Sequence, residues 1–118
     1  MAICSGALLA EIELILEDSG LRKFFETIVS ADHITNGKPH PEPFLLALKK
    51  LNEKQPPIQA NQCVVVEDSH WGLQSAKAAG MHTIAVTNSY DADKLSLAEK
   101  IVDNLNQLAI NDLQQLCR

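Results

Sequence analysis

The sequence predicts an α/β fold: a Rossmann-like parallel sheet with helices on both faces. Three observations carry this reading. Short apolar runs rich in β-branched residues alternate along the chain with stretches whose apolar residues recur at helical spacing. Glycine, proline and asparagine punctuate the boundaries between them. The run Cys63 to Val66 does not alternate with polar residues, so it is expected to be a strand buried on both faces, as in a parallel sheet.

At the start, "MAIC" is a short apolar strand that ends in the turn Ser5-Gly6. Leu8, Ile12, Ile15 and Leu16 then mark an amphipathic helix from Ala7 to Asp18, with Gly20 as its left-handed cap. "LRKFF" is a helical turn, and "TIVSADH" a strand with β-branched Thr27, Ile28 and Val29. The turn Asn36-Gly37 opens a loop that carries Lys38. Pro41 and Glu42 suit the first turn of the next helix, whose apolar face is Phe44, Leu45, Leu48 and Leu51. After the polar stretch "EKQPPIQANQ" comes "CVVV", and then Ser69 as N-cap of "HWGLQSAKAA", which Gly80 ends. "HTIAV" is the next strand, and "SYDADKLSLAEK" is expected to begin as a loop and become a helix. "IVDNLNQL" supplies a last short strand and turn, and Ile110 to Leu116 a final helix.

The 118 residues fit one domain, 1–118, with one core. With 46% apolar and 21% charged residues, the composition is that of a globular chain. A net charge of −5 with scattered Lys and Arg leaves no basic stripe, which argues against nucleic acid as a partner. No apolar run reaches a membrane-spanning length, and the chain reads as cytoplasmic. Cys4, Cys63 and Cys117 lie far apart without metal-ligand spacing; Cys4 and Cys63 read as small buried hydrophobes.

In such sheets ligands gather beyond the carboxyl ends of the strands, which directs attention to Ser5, Lys38, Glu67 and Asp68. Ser5 offers a hydroxyl in a strand-to-helix turn, where backbone N–H groups attract anions; its simpler role would be a helix cap. Lys38 brings a point charge able to pair with a phosphate oxygen or a carboxylate. Glu67 and Asp68, adjacent at a strand end, repel each other and invite a hard cation, with magnesium the expected ion; one capping and one exposed acid is the competing account. One phosphate donor, one lysine and one acid pair at successive strand ends suit phosphoryl transfer.

"GKPHPEPF" and "VVVEDSHWGLQSAKAAGM" closely resemble the haloacid dehalogenase-like hydrolases, in the subgroup of β-phosphoglucomutase and phosphoglycolate phosphatase. "AICSGA" resembles that family's second motif, which implies phosphate binding by Ser5 and the N–H of Gly6. Lys38 matches the third motif's lysine, implying a catalytic group that steadies phosphate and nucleophile. Glu67 and Asp68 match the fourth motif's acid pair, implying a Mg2+ site. The resemblance runs from about Ala2 to Tyr90.

The family's nucleophile is the first aspartate of an Asp-x-Asp motif at the end of its first strand, and a cap domain largely sets substrate choice. Residues 1–118 hold neither segment. Asp91-Ala92-Asp93 has the spacing but sits in a polar loop, and Asp68 already fits the metal role. The family's first strand lies between those ending at Ser5 and Glu67, so two unpaired edges are expected there unless these strands pair directly or another chain fills the gap. The chain is therefore read as a partial, truncated core, completed by a missing N-terminal segment or by forming a homodimer. As it stands it is expected to be an inactive phosphatase or phosphomutase core for a small phosphorylated metabolite. The alternative is a non-catalytic phosphate- and metal-binding or assembly module. A dinucleotide-binding domain is disfavoured because no GxGxxG follows the first strand.

Overall fold

Five short strands and four helices follow one another along residues 1–118, which the computed structural model describes throughout. Strand β1 (Ala2–Cys4) leads into helix α1 (Leu9–Ser19), and β2 (Thr27–Val29) returns parallel to β1 with Ile3 opposite Ile28. Helix α2 (Glu42–Asn52) precedes β3 (Val64–Glu67), then come α3 (His70–Ala78), β4 (His82–Val86), β5 (Lys100–Val102) and α4 (Ile110–Leu116). Strands β3, β4 and β5 are parallel in that spatial order, with Glu67 opposite Ala85 and Val86 opposite Val102.

Local chemistry sets the helix limits. Gly20 closes α1 at φ 71°, a left-handed conformation that glycine adopts without steric cost. The Leu9 N–H at the start of α1 donates to the Asp32 carboxylate at 2.7 Å, and the Leu8 N–H to Glu11 at 3.0 Å. Ser69 caps α3 as its sequence position predicts, its hydroxyl accepting from the Gly72 N–H at 3.1 Å.

Alternation along the strands places helices on both faces. Ile3 faces Ile12 and Leu16 of α1, whereas Cys4 packs with Phe44 of α2. In β4, Ala85 packs on Leu73 of α3, whereas Ile84 and Val86 meet Leu113 and Leu116 of α4. Helix α2 ties the halves together, because Phe44 shares a cluster with Val65, Ala76 and Met81. A buried link reinforces this: Ser75, fully buried on α3, donates its hydroxyl hydrogen to the His40 carbonyl at 2.6 Å.

The strands form two separate sheets, β1-β2 and β3-β4-β5. The edges of β1 and β3 that have no strand neighbour both line one apolar groove of about 520 Å³. Phe44, Ala47, Leu48 and Leu51 of α2 line it as well, with Leu113 of α4. The two unpaired edges expected beside Ser5 and Glu67 are thus present.

Three local expectations need correction. "CVVV" is not buried on both faces: Val65 is 8% exposed but Val66 is 43% exposed, because no strand lies beside β3 on the groove side. "TIVSADH" is a strand only through Val29; the Ser30 N–H donates to His33 Nδ1 at 3.0 Å and turns the chain into a single 3-10 turn, Ala31–His33. "SYDADKLSLAEK" contains one 3-10 turn, Ala92–Leu95, rather than an α-helix, although Leu95 is fully buried against Leu73. No helix is long and apolar enough to cross a membrane.

Candidate functional site

Ser5, Gly6, Lys38, Glu67 and Asp68, drawn from three separate strand-end segments, line one open cavity of about 900 Å³. Parallel strand direction puts the carboxyl ends of β1 and β3 on one side of the molecule, and the loop bearing Lys38 crosses between them. That loop is anchored at both ends. The Glu42 carboxylate at the start of α2 accepts from the Thr35 and Asn36 N–H groups at 2.7 and 2.6 Å, while Ser75 holds His40. The Lys38–Pro39 peptide bond is cis.

Lys38 donates to the Cys4 carbonyl at 3.1 Å and forms an ion pair with Glu67. Its ammonium also sits 4.9 Å from the centre of the Phe44 ring. The pair is largely shielded, with the Lys38 side chain 20% and the Glu67 side chain 9% exposed. Glu67 turns back over the N-terminus of α3, where the Asp68 N–H donates to it at 3.3 Å. Gly72 makes this possible. A Cβ there would lie 2.0 Å from the Glu67 carboxyl carbon, a distance that no pair of atoms tolerates. A glycine inside a helix is unfavourable by about 1 kcal/mol relative to alanine, so its place in "SHWG" was the available sign of a close approach.

Asp68 lies beside Glu67 at the end of β3, and Ser89 from the loop after β4 donates its hydroxyl hydrogen to Asp68 Oδ2 at 2.8 Å. Ser89 escaped the sequence reading, because only the β3-β4 pairing brings it there. Ser5 accepts from the Ala7 N–H at 3.1 Å, which leaves the hydroxyl's own hydrogen for a second partner. The Gly6 N–H makes no hydrogen bond within the chain, and the space a Gly6 side chain would take is open. The neighbouring helix N-terminus, by contrast, is already served by Asp32 and Glu11. Anion affinity at this turn therefore rests on Ser5, Gly6 and Lys38 rather than on the first turn of α1.

No three His, Cys, Asp or Glu side chains gather at any point. A magnesium ion is commonly held by one or two protein carboxylates, with water and phosphate oxygens filling its shell. Glu67 and Asp68 fit that donor chemistry: both are hard oxygen donors, and Asp68 is not neutralised by a lysine. Asp91 and Asp93 are exposed residues at and within the Ala92–Leu95 turn, outside the lining of the cavity.

Cys4 lines both the cavity and the groove. Burial pushes its thiol pKa up to about 11; Lys38 opposes the shift and Glu67 adds to it. Iodoacetamide at pH 8 is therefore expected to modify Cys4 about 100-fold more slowly than a cysteine of unshifted pKa. Its rate should keep rising up to about pH 11. Peptide mapping by mass spectrometry reads this out, and labelling as fast as that of a free cysteine peptide would contradict the burial.

A model of haloacid dehalogenase-like hydrolases matches residues 1–86. The chain belongs to this family. Fructose-1-phosphate phosphatase YqaB of Escherichia coli is 41% identical over 86 residues, which cover 73% of the chain and 43% of that protein. Phosphoglycolate phosphatase of Salmonella typhimurium is 35% identical over 97 residues, covering 80% and 36%. Among solved structures, β-phosphoglucomutase of Clostridium difficile superposes with a TM-score of 0.76 at 30% identity, over 88% of this chain and 43% of that one. CbbY of Rhodobacter sphaeroides, solved in complex with phosphate, superposes with a TM-score of 0.81 at 26% identity, over 92% and 48%. The chain thus spans less than half the length of these relatives. The Rossmann-like parallel architecture and the phosphatase and phosphomutase subgroup agree with the expectation from the motifs.

Proposed function

We propose that residues 1–118 form the phosphate- and magnesium-binding part of a haloacid dehalogenase-like phosphatase or phosphomutase core, which acts on a small phosphorylated metabolite in the cytoplasm. The observation that supports this most is the convergence of Ser5, Gly6, Lys38, Glu67 and Asp68 on one cavity. The similar proteins named above include phosphatases of fructose 1-phosphate and of phosphoglycolate, both small phosphate esters.

In this reading the Ser5 hydroxyl and the Gly6 N–H donate to phosphate oxygens. Lys38 places its positive charge against the phosphate and the attacking carboxylate. Asp68, oriented by Ser89, would hold magnesium together with Glu67; once bound, the ion supplies positive charge that offsets the charge building on the phosphoryl oxygens. The covalent step needs a carboxylate that attacks phosphorus, expels the alcohol and leaves an acyl phosphate for water to hydrolyse. The single Asp-x-Asp of residues 1–118 is Asp91-Ala92-Asp93, on an exposed turn. The nucleophile therefore comes from a strand seated in the groove between β1 and β3. That strand belongs to a segment outside residues 1–118; a second copy in a homodimer would cover the groove but bring no nucleophile of its own. Seated parallel to its neighbours, the strand would end at the cavity, next to Ser5 and Lys38.

A non-catalytic phosphate-binding module is the second reading, favoured by the ion pair that already neutralises Lys38. An assay with p-nitrophenyl phosphate and magnesium separates the two. The 118-residue chain alone is expected to give no turnover. Fusing an apolar strand that ends in Asp-x-Asp ahead of residue 1 is expected to produce turnover, which Asp68→Ala abolishes. Turnover by the chain alone that survives Asp68→Ala would overturn the proposal, and a fused strand that gives none would favour the module.

A further inference from the structure

Ser89 sits in the loop after β4 and donates its hydroxyl hydrogen to Asp68 Oδ2 at 2.8 Å, across 21 residues of sequence. Ser89 is exposed, and an exposed hydrogen bond competes with water and adds little to folding. The loop is nevertheless held on both sides of it. Thr87 donates its N–H to the Val102 carbonyl at 3.0 Å and its hydroxyl hydrogen to Asp103 at 3.1 Å. Tyr90 packs against the buried cluster of Leu73, Ala85 and Leu95, and meets the His70 ring edge-on at 5.9 Å between centres. The acid pair beside this loop is unevenly engaged. Glu67 Oε1 pairs with Lys38, and Oε2 accepts from the Asp68 N–H at 3.3 Å and from the Ser69 hydroxyl at 3.5 Å. Asp68 Oδ2 accepts from Ser89, and Oδ1 alone has no hydrogen-bond partner in the chain. Asp68 lines the cavity and Ser89 does not, so Ser89 reaches the carboxylate from outside the cavity.

From this we infer that Ser89 is a positioning residue for the cation: by occupying Asp68 Oδ2 it confines Asp68 to binding through one oxygen, Oδ1, and so favours Mg2+ over Ca2+. The inference rests on the magnesium-binding reading of Glu67 and Asp68 and adds what selects the ion. Mg2+ has a small octahedral shell, keeps several waters and needs only one or two carboxylates. Ca2+ takes about six to eight oxygens and gains from a carboxylate that binds through both of its own. With Ser89 in place, a cation that draws on both oxygens competes with its hydrogen bond, whereas one that needs a single oxygen does not. Loss of such a partner behind a metal-binding group typically weakens metal affinity by about 10- to 100-fold.

Mn2+, which takes octahedral oxygen sites as Mg2+ does, is the probe, and no turnover is needed. The electron paramagnetic resonance signal of free Mn2+ falls as the 118-residue chain binds it, and Mg2+ or Ca2+ restores the signal by competition. Ser89→Ala is expected to weaken Mg2+ binding about tenfold while Ca2+ affinity changes by less than about twofold, so the preference for Mg2+ drops about tenfold. Ser89→Thr, which keeps the hydroxyl, should restore it. Asn88→Ala, at the exposed position before Ser89, should leave both affinities unchanged. Equal losses for the two ions in Ser89→Ala, no loss at all, failure of Ser89→Thr to restore Mg2+ binding, or the same loss in Asn88→Ala overturns the inference but leaves the metal site standing. An unsubstituted chain that binds no Mn2+ overturns the metal site itself, and this inference with it.

Discussion

Replacing Glu67 by alanine is expected to lower the folding stability of the chain by about 3 kcal/mol, with Lys38 left shielded and unpaired. Both side chains of the pair are mostly out of water, and the desolvation of an ammonium is offset only while its partner is present. The space that Gly72 leaves open for the carboxylate would also become a void. Urea denaturation checks this, with the midpoint expected to fall by roughly 1–2 M at an ordinary slope. The double variant Lys38→Met with Glu67→Leu should recover most of the loss, because it removes both charges and keeps apolar volume. A loss below about 1 kcal/mol in the single variant would mean that Lys38 reaches water after all, placing the pair with exposed ion pairs.

Leu73→Ala is expected to have an effect of similar size for a different reason. Leu73 is fully buried on α3 and packs on Ala85 of β4 and on Leu95 of the 3-10 turn that precedes β5. Truncation leaves a cavity among three elements that cannot all collapse onto it, a loss of about 3 kcal/mol. For a chain of this length that corresponds to a fall of roughly 12 °C in the melting temperature. Val66→Ala in the same experiment should change little, because Val66 is 43% exposed at the groove. A larger loss at Val66 than at Leu73 would show that the groove is closed in solution by another strand.

The two substitutions separate what was legible in the sequence from what was not. Leu73 lies within the helix that the sequence predicts behind the Ser69 cap, a local pattern. Exposure of Val66 was not legible, since a run of four apolar residues reads as doubly buried whether or not both neighbouring strands exist. The same limit applies at Glu67 and Trp71. Adjacent acids at a strand end announced a charged site, but which partner each would take depended on Lys38 and Ser89, 29 and 21 residues away. Exposure of Trp71 at the cavity likewise depends on the segments after β1 and β2 that meet α3 there.

By itself the sequence determined the five strands and helices α1 to α4 in their order, though not the lack of a helix between β4 and β5, together with the caps at Gly20 and Ser69 and the short set of strand-end residues in which any chemistry would reside. These rest on periodicity and turn preferences that act over a few residues. The tertiary structure showed that the gap expected between β1 and β3 is an apolar groove lined also by α2 and α4, with Val66 left exposed beside it. It also decided that Glu67 folds back onto Lys38 against Gly72, and that Trp71 faces the cavity. Each of these outcomes depends on which segments meet across long sequence separations, and there packing and desolvation outweigh local preference.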